Sequence, residues 1–160
     1  MQGKSASASV ATIWETIALE AERESPLWAA ALRPEDEREE VAVFSPLADE
    51  RFALGIESIY EGYLLHYGRP RLFSPDDRDA AILLGDYLYA HGLVRVTAAG
   101  DVEAVERLAE LLSLCAHLRA EGRGEEDGEA WAATVGSLPE APPSNEARRS
   151  ALALHGGRVD

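Results

Sequence analysis

"AILLGDYLYAHG", residues 81–92, has the apolar content of a buried helix. Ile82, Leu83, Leu84, Tyr87 and Leu88 leave almost no polar face, yet Gly85 and Asp86 stand side by side at its centre. A glycine inside a helix costs about 1 kcal/mol relative to alanine. An aspartate buried there must find a hydrogen-bond partner or costs more. Two unfavourable choices in one helix point to a fold that makes use of them.

The same periodicity extends in both directions. Ser-Pro pairs at 25–26, 45–46 and 74–75 each precede a helix-like pattern. Serine caps free amides, and proline fits the first helical position, where no donor is needed. In "SPDD" (74–77), Asp76 and Asp77 are expected in the first turn, where negative charge suits the helix dipole. Helices are expected over about 8–23, 34–44, 46–66, 75–95, 102–120 and 128–135, with a short one after Pro26. Asp101, closing the turn "TAAGD" (97–101), caps the helix at 102, whose apolar face carries Val102, Val105, Leu108, Leu112 and Cys115. Leu111, Leu114 and Leu118 widen that face. "SLPEAPPSNE" (137–146) opens a stretch that reads as a flexible tail over 137–160, with one or two helical turns at 145–154. No period-two alternation, hairpin signal or internal repeat appears, and "GLVRV" (92–96) is the only strand-like run. The expectation is one all-α domain over 1–136, a bundle of five to seven helices.

At 160 residues and 46% apolar content the chain can build a real core. It has no apolar run of about 18 residues, the length a spanning helix requires. "MQGKSASASV" does not read as a secretory signal. Cys115 is the single cysteine, which suits a reducing compartment, so the expected location is cytoplasmic. The net charge of −14 argues against nucleic acid or an anionic membrane as partner. Much of the acidity lies in "RPEDEREE" (33–40) and "EGRGEEDGE" (121–129), which read as solvated surface.

The usual catalytic signatures are missing: no Gly-rich Lys loop and no Gly-x-Ser-x-Gly elbow. Cys115 sits on an apolar helix and reads as core. His66, His91, His117 and His155 fall in no metal-ligand spacing. His117 and Glu121, four apart, read as a surface contact. Glu57 and Glu61 are the acidic pair of interest, because they share a helix face beside Ile56, Ile59, Tyr60 and Tyr63. Two carboxylates so placed are candidate Mg²⁺ ligands, although the spacing is also common on surfaces.

"GRP" (68–70) follows this helix, and "AAILLGDYLYAHGL" (80–93) comes about a dozen residues later. The pattern resembles the trans-prenyl diphosphate synthases, the polyprenyl synthetase family. Members carry an Asp-rich motif on a helix, a Gly-x-Pro turn, and then a helix of the type AxLLGDYLxAxA. "AAGDVEAVERLAELL" (98–112) looks like the continuation. The resemblance covers about 50–120, less than half of a full-length member, and "LLGDYLYA" (83–90) is its most specific part. It implies part of the isoprenoid synthase fold, with Gly85 and Asp86 as fold markers. Gly85 would permit close helix–helix approach, and Asp86 would be held by buried hydrogen bonds.

The departures from the family pattern bear on function. "ESIYE" (57–61) falls at the first Asp-rich motif, so Glu57, Ser58 and Glu61 stand at its degenerate positions. His66 and Tyr67 replace the paired arginines that help bind diphosphate. "AALRPED" (30–36) is a poor substitute for the upstream Gly-Lys-Arg-x-Arg-Pro motif, and 121–160 supplies no second Asp-rich motif. Ionising an allylic diphosphate needs Mg²⁺ held from both sides and cations for the leaving group. The chain is therefore expected not to catalyse condensation alone and to carry no cofactor and no catalytic residue of its own. The resemblance implies a non-catalytic or regulatory subunit of a heteromeric prenyl synthase in isoprenoid biosynthesis. Its partner would be a catalytic synthase subunit or a second copy. The alternative is a helical interaction or scaffold protein unrelated to isoprenoid chemistry. Tyr60, Tyr63, Tyr67 and Tyr87, with Tyr89, are expected to form either aromatic core or a partner-facing or pocket-lining surface.

Overall fold

The computed structural model describes residues 10–159. Seven α-helices and no strands occur among them, the all-α bundle expected from the sequence. They are α1 (Ile13–Glu24), α2 (Pro26–Ala31), α3 (Ala53–Tyr67), α4 (Arg78–Ala98), α5 (Val102–Ala120), α6 (Asp127–Gly136) and α7 (Asn145–Gly156). No helix among the described residues is long and apolar enough to cross a membrane.

Local chemistry sets the boundaries. Thr12 and Glu15 form a reciprocal capping box at the start of α1. Residues 8 and 9 of the helix expected at 8–23 lie outside the described residues. Ser25 caps α2 with Pro26 in the first turn, as the Ser-Pro reading expects. Ser74-Pro75 does not cap α4. Ser74 N donates to Ala31 O and Leu32 bridges to Phe73, so this segment is held extended and Asp77 caps the helix instead. Asp101 caps α5 through Ala104 N at 2.8 Å. The buried stripe of α5 is Ala104, Leu108, Leu111, Cys115 and Leu118. Val102, expected on that face, is 74% exposed.

α3 and α4 are the antiparallel centre of the bundle. Every residue from Gly55 to Leu65 is buried, so α3 is enclosed on all sides. Trp14, Ile17 and Ala21 of α1 form one core with Leu65, Leu72, Phe73, Leu84 and Leu88. A second core joins α3 to α5, α6, α7 and the 43–52 segment. The close approach of α3 to α4 explains Gly85. A β-carbon on Gly85 would lie 3.0 Å from Gly62 O and 2.7 Å from the His66 ring, and one on Gly62 would lie 2.7 Å from Gly85 O. Gly55 and Gly92 meet in the same way one heptad along. Asp86 is the correction. The next residue on a helix points about 100° away, so Asp86 faces outward, with its side chain 62% exposed and bonded to His66 Nε2 at 3.0 Å.

Gly62→Ala should therefore cost about 1–3 kcal/mol, because backbone atoms block the methyl. Gly136→Ala, where nothing lies within 4 Å, should be neutral or gain a few tenths. Urea titration of both variants reads the contrast.

Two further expectations change. The helix expected at 34–44 is only a single 3-10 turn, Glu35–Glu37, followed by extended chain. The segment expected to be a flexible tail carries α7, with Ala151 and His155 buried. Its end is anchored too: Arg69 N donates to Arg158 O at 2.8 Å, and Arg158 pairs with Glu39 at 3.0 Å.

Candidate functional site

Glu57 and Glu61 lie on the buried face of α3, and both are 0% exposed. Arg71, also 0% exposed, enters between them from the turn after α3. Its Nη1 donates to Glu57 Oε1 at 2.6 Å and its Nε to Glu61 Oε1 at 3.0 Å. Nη1 also reaches Val41 O at 2.7 Å and Nη2 reaches Glu57 O at 3.2 Å. The guanidinium lies against the rings of Trp14 and Tyr60, at 4.8 and 5.1 Å.

Backbone amides fill the remaining acceptor sites. Glu57 Oε2 accepts from Val43 N and Ser45 N at 3.1 and 3.0 Å. Glu61 accepts from Arg71 N and from Leu72 N, the latter at 2.8 Å. Every carboxylate oxygen is engaged, and the excess negative charge is met by oriented N–H groups. A helix over 34–44 would commit the Val43 amide to the Glu39 carbonyl, whereas here that amide donates to Glu57. The pair does not fit Mg²⁺. A hard cation needs open carboxylate oxygens and water, whereas these oxygens are sealed around a guanidinium. Ser58 is buried as well. Its hydroxyl donates to Leu54 O and accepts from Arg95, which pairs with Glu20 at 2.6 Å.

A second buried cluster joins α3, α5, α6 and α7. Asp127, the first residue of α6, accepts from His155 Nε2 at 2.7 Å, Tyr63 Oη at 2.6 Å and Arg119 Nη2 at 2.7 Å. Tyr60 Oη bonds His155 Nδ1 at 2.6 Å. Burial alone would raise the Asp127 pKa. The bonds from His155, Tyr63 and Arg119 outweigh it and hold the group at about 2. Burial pushes both tyrosine hydroxyls well above their ordinary range. His155 uses both ring nitrogens inside the core, so neither is free to attack or to transfer a proton to a ligand.

Tyr60 and Tyr63 are therefore core residues, 0% exposed, and present no surface to a partner. Tyr67 lies 4.8 Å from the Tyr63 ring and beneath Arg119. Tyr89 stacks on His66 at 5.0 Å. Tyr87 is half-buried against Trp28 and His91, and Tyr67 and Tyr89 are likewise half-buried. Desolvation lowers the pKa of His66 despite the Asp86 carboxylate beside it. His117 and Glu121 form a surface pair at 3.3 Å.

Cys115 is buried, and desolvation raises its thiol to about 11. A thiol reagent such as dithiobisnitrobenzoate at pH 8 should leave the native protein untouched and react only on unfolding. Fast native labelling would contradict the packing of α5.

Arg71, Asp127 and His155 are the residues that sequence reasoning missed or set aside. For Arg71 a signal existed: two carboxylates on an apolar helix require a buried cation, and an arginine stands ten residues beyond Glu61. Among the described residues no group of three or more His, Cys, Asp or Glu side chains is placed to hold a metal ion. Among the described residues the protein is an all-α bundle with a buried Glu57–Glu61–Arg71 cluster and a second polar cluster whose Asp127 and His155 line a surface cavity. Comparison with protein-family models, with curated proteins and with solved structures finds no match.

Proposed function

We propose that this chain is a prenyl-synthase-like helical protein without a diphosphate site of its own. It acts as a non-catalytic, protein-binding subunit that tunes a catalytic prenyl synthase in the cytoplasm. The observation that carries this reading is the Glu57–Glu61–Arg71 cluster. The position at which the family resemblance expects metal ligands is occupied by a closed ion pair that holds α3 to the 41–45 and 71–72 segments. Of the two packing features that the resemblance implies, Gly85 is seated against α3, which supports the reading, whereas Asp86 faces outward.

The test is an assay with Mg²⁺, an allylic diphosphate and isopentenyl diphosphate. The purified chain alone should give no product. Adding it to a catalytic synthase that co-purifies with it from the native host should change product chain length or rate. Turnover by the chain alone would overturn the reading. A synthase that ignores the chain, together with co-purification of proteins outside isoprenoid chemistry, would leave the helical scaffold alternative.

A further inference from the structure

The outward face of α4 carries an apolar stripe that the bundle covers only at Tyr87, which packs on Trp28. Leu83 is 58% exposed and Val94 63% exposed. Tyr87 and Ala90 lie between them at helical spacing, half-buried and exposed respectively. At its N-terminal end the stripe runs into a groove between α2 and α4 where Leu27 is 69% exposed. Single exposed apolar residues are ordinary, but a continuous row on one helix flank is not.

The rim of this groove has one sign. Asp76 and Asp77 line it directly. Asp79 is exposed one turn before Leu83, whereas Asp86, one turn after it, is bonded to His66 of α3. The nearby cation, Arg78, is turned toward α3 and donates to His66 O. A second copy would bring the same acidic rim and another −14 of net charge to the contact. A cationic occupant gains where a second copy is repelled.

We propose that the α2–α4 groove is a docking surface for an amphipathic helix of a partner protein, with its apolar face flanked by lysine or arginine. Leu27 and Leu83 form the apolar anchor and Asp76, Asp77 and Asp79 the electrostatic guide. This rests on the reading of the chain as a protein-binding subunit and names the surface that would do the binding.

The probe is a pair of synthetic helical peptides of about six turns. They share one Leu/Ile stripe, flanked by Lys/Arg in one and by Glu in the other. Fluorescence anisotropy against the full chain should show binding of the basic peptide only, weakening as salt rises. Leu27→Asp with Leu83→Asp should weaken it by at least about tenfold, the usual scale for losing an apolar anchor. Both side chains are exposed, so the variant should fold, and circular dichroism checks that it does. Equal binding of the two peptides, or indifference to the double substitution, would overturn the proposal. So would self-association in sedimentation that Leu83→Asp abolishes, because the groove would then belong to a second copy. If the double variant still tunes a synthase as the parent does, the docking surface fails while the subunit reading stands.

Discussion

Arg71→Met leaves two carboxylates buried and unpaired at the centre of the bundle, and the protein should lose most of its stability. Removing one partner of a buried ion pair costs about 3–5 kcal/mol, because the charge left behind has lost both water and its counter-ion. Domains of this size hold about 5–15 kcal/mol in total. Arg71 serves both glutamates and the Val41 carbonyl, so the cost should fall at the upper end of that range. Methionine keeps much of the volume against Trp14 and Tyr60, so cavity formation contributes little. Glu57→Gln with Glu61→Gln should also destabilise, through weakened bonds to Arg71 and to the Val43, Ser45 and Leu72 amides. Adding both to Arg71→Met should recover part of the loss, since no net charge is then left unpaired. Denaturant titration of the three variants separates the roles. A metal-ligand role predicts that the double glutamine variant is as stable as the parent. A structural ion pair predicts a lower midpoint, and an unchanged midpoint would refute it.

The sequence made the helices legible wherever the signal was local. α5 could be bounded because Asp101 caps it and Gly122 follows its end, and both signals lie within a few residues of the helix. The close helix–helix approach at Gly85 is what the family resemblance implies, and the glycine sits against α3. Asp86 beside it departs from the expected buried bonding, because the two neighbours face different ways and only one can meet α3. The segment 34–44 looked helical from composition alone. Its Val43 amide is claimed by Glu57, fourteen residues on, and its Glu39 amide by the Arg71 carbonyl, and no local pattern records that. The same limit hid the second cluster. His155 lies 28 residues from Asp127 and 95 from Tyr60, so no motif spacing could join them. α7 presents mainly Ala151 and His155 to the core, too thin a stripe to stand out behind a Pro-rich lead-in. The Glu57/Glu61 pair was visible as chemistry. What the sequence left open was whether those carboxylates face a ligand or an internal cation, and the position of Arg71 decides that.

The Asp127 cluster predicts how the protein responds to acid. Its carboxyl titrates at about 2, against an ordinary value of 3.8. A folded-state pKa below the unfolded one contributes stability that is fully present above the ordinary value. It disappears as pH falls from about 4 through about 2, and the shift corresponds to about 2 kcal/mol. Asp127→Asn should therefore lower stability at pH 7 by at least that much, since Arg119 and His155 also lose their anionic partner. It should also flatten the pH dependence below 4, because the group responsible is gone. His155→Ala should have a comparable cost with a different signature. It leaves Tyr60 Oη and one Asp127 oxygen without their bonds and removes a large buried side chain of α7. Amide exchange over residues 145–159 should then rise well before global unfolding, while α3, held by Glu57, Glu61 and Arg71, stays protected. If exchange in α7 and α3 rises together, the two clusters form one cooperative unit and His155 is not a separable clasp. If Asp127→Asn keeps the acid slope of the parent, other carboxylates carry it and the bonds at Asp127 contribute packing order without pH dependence.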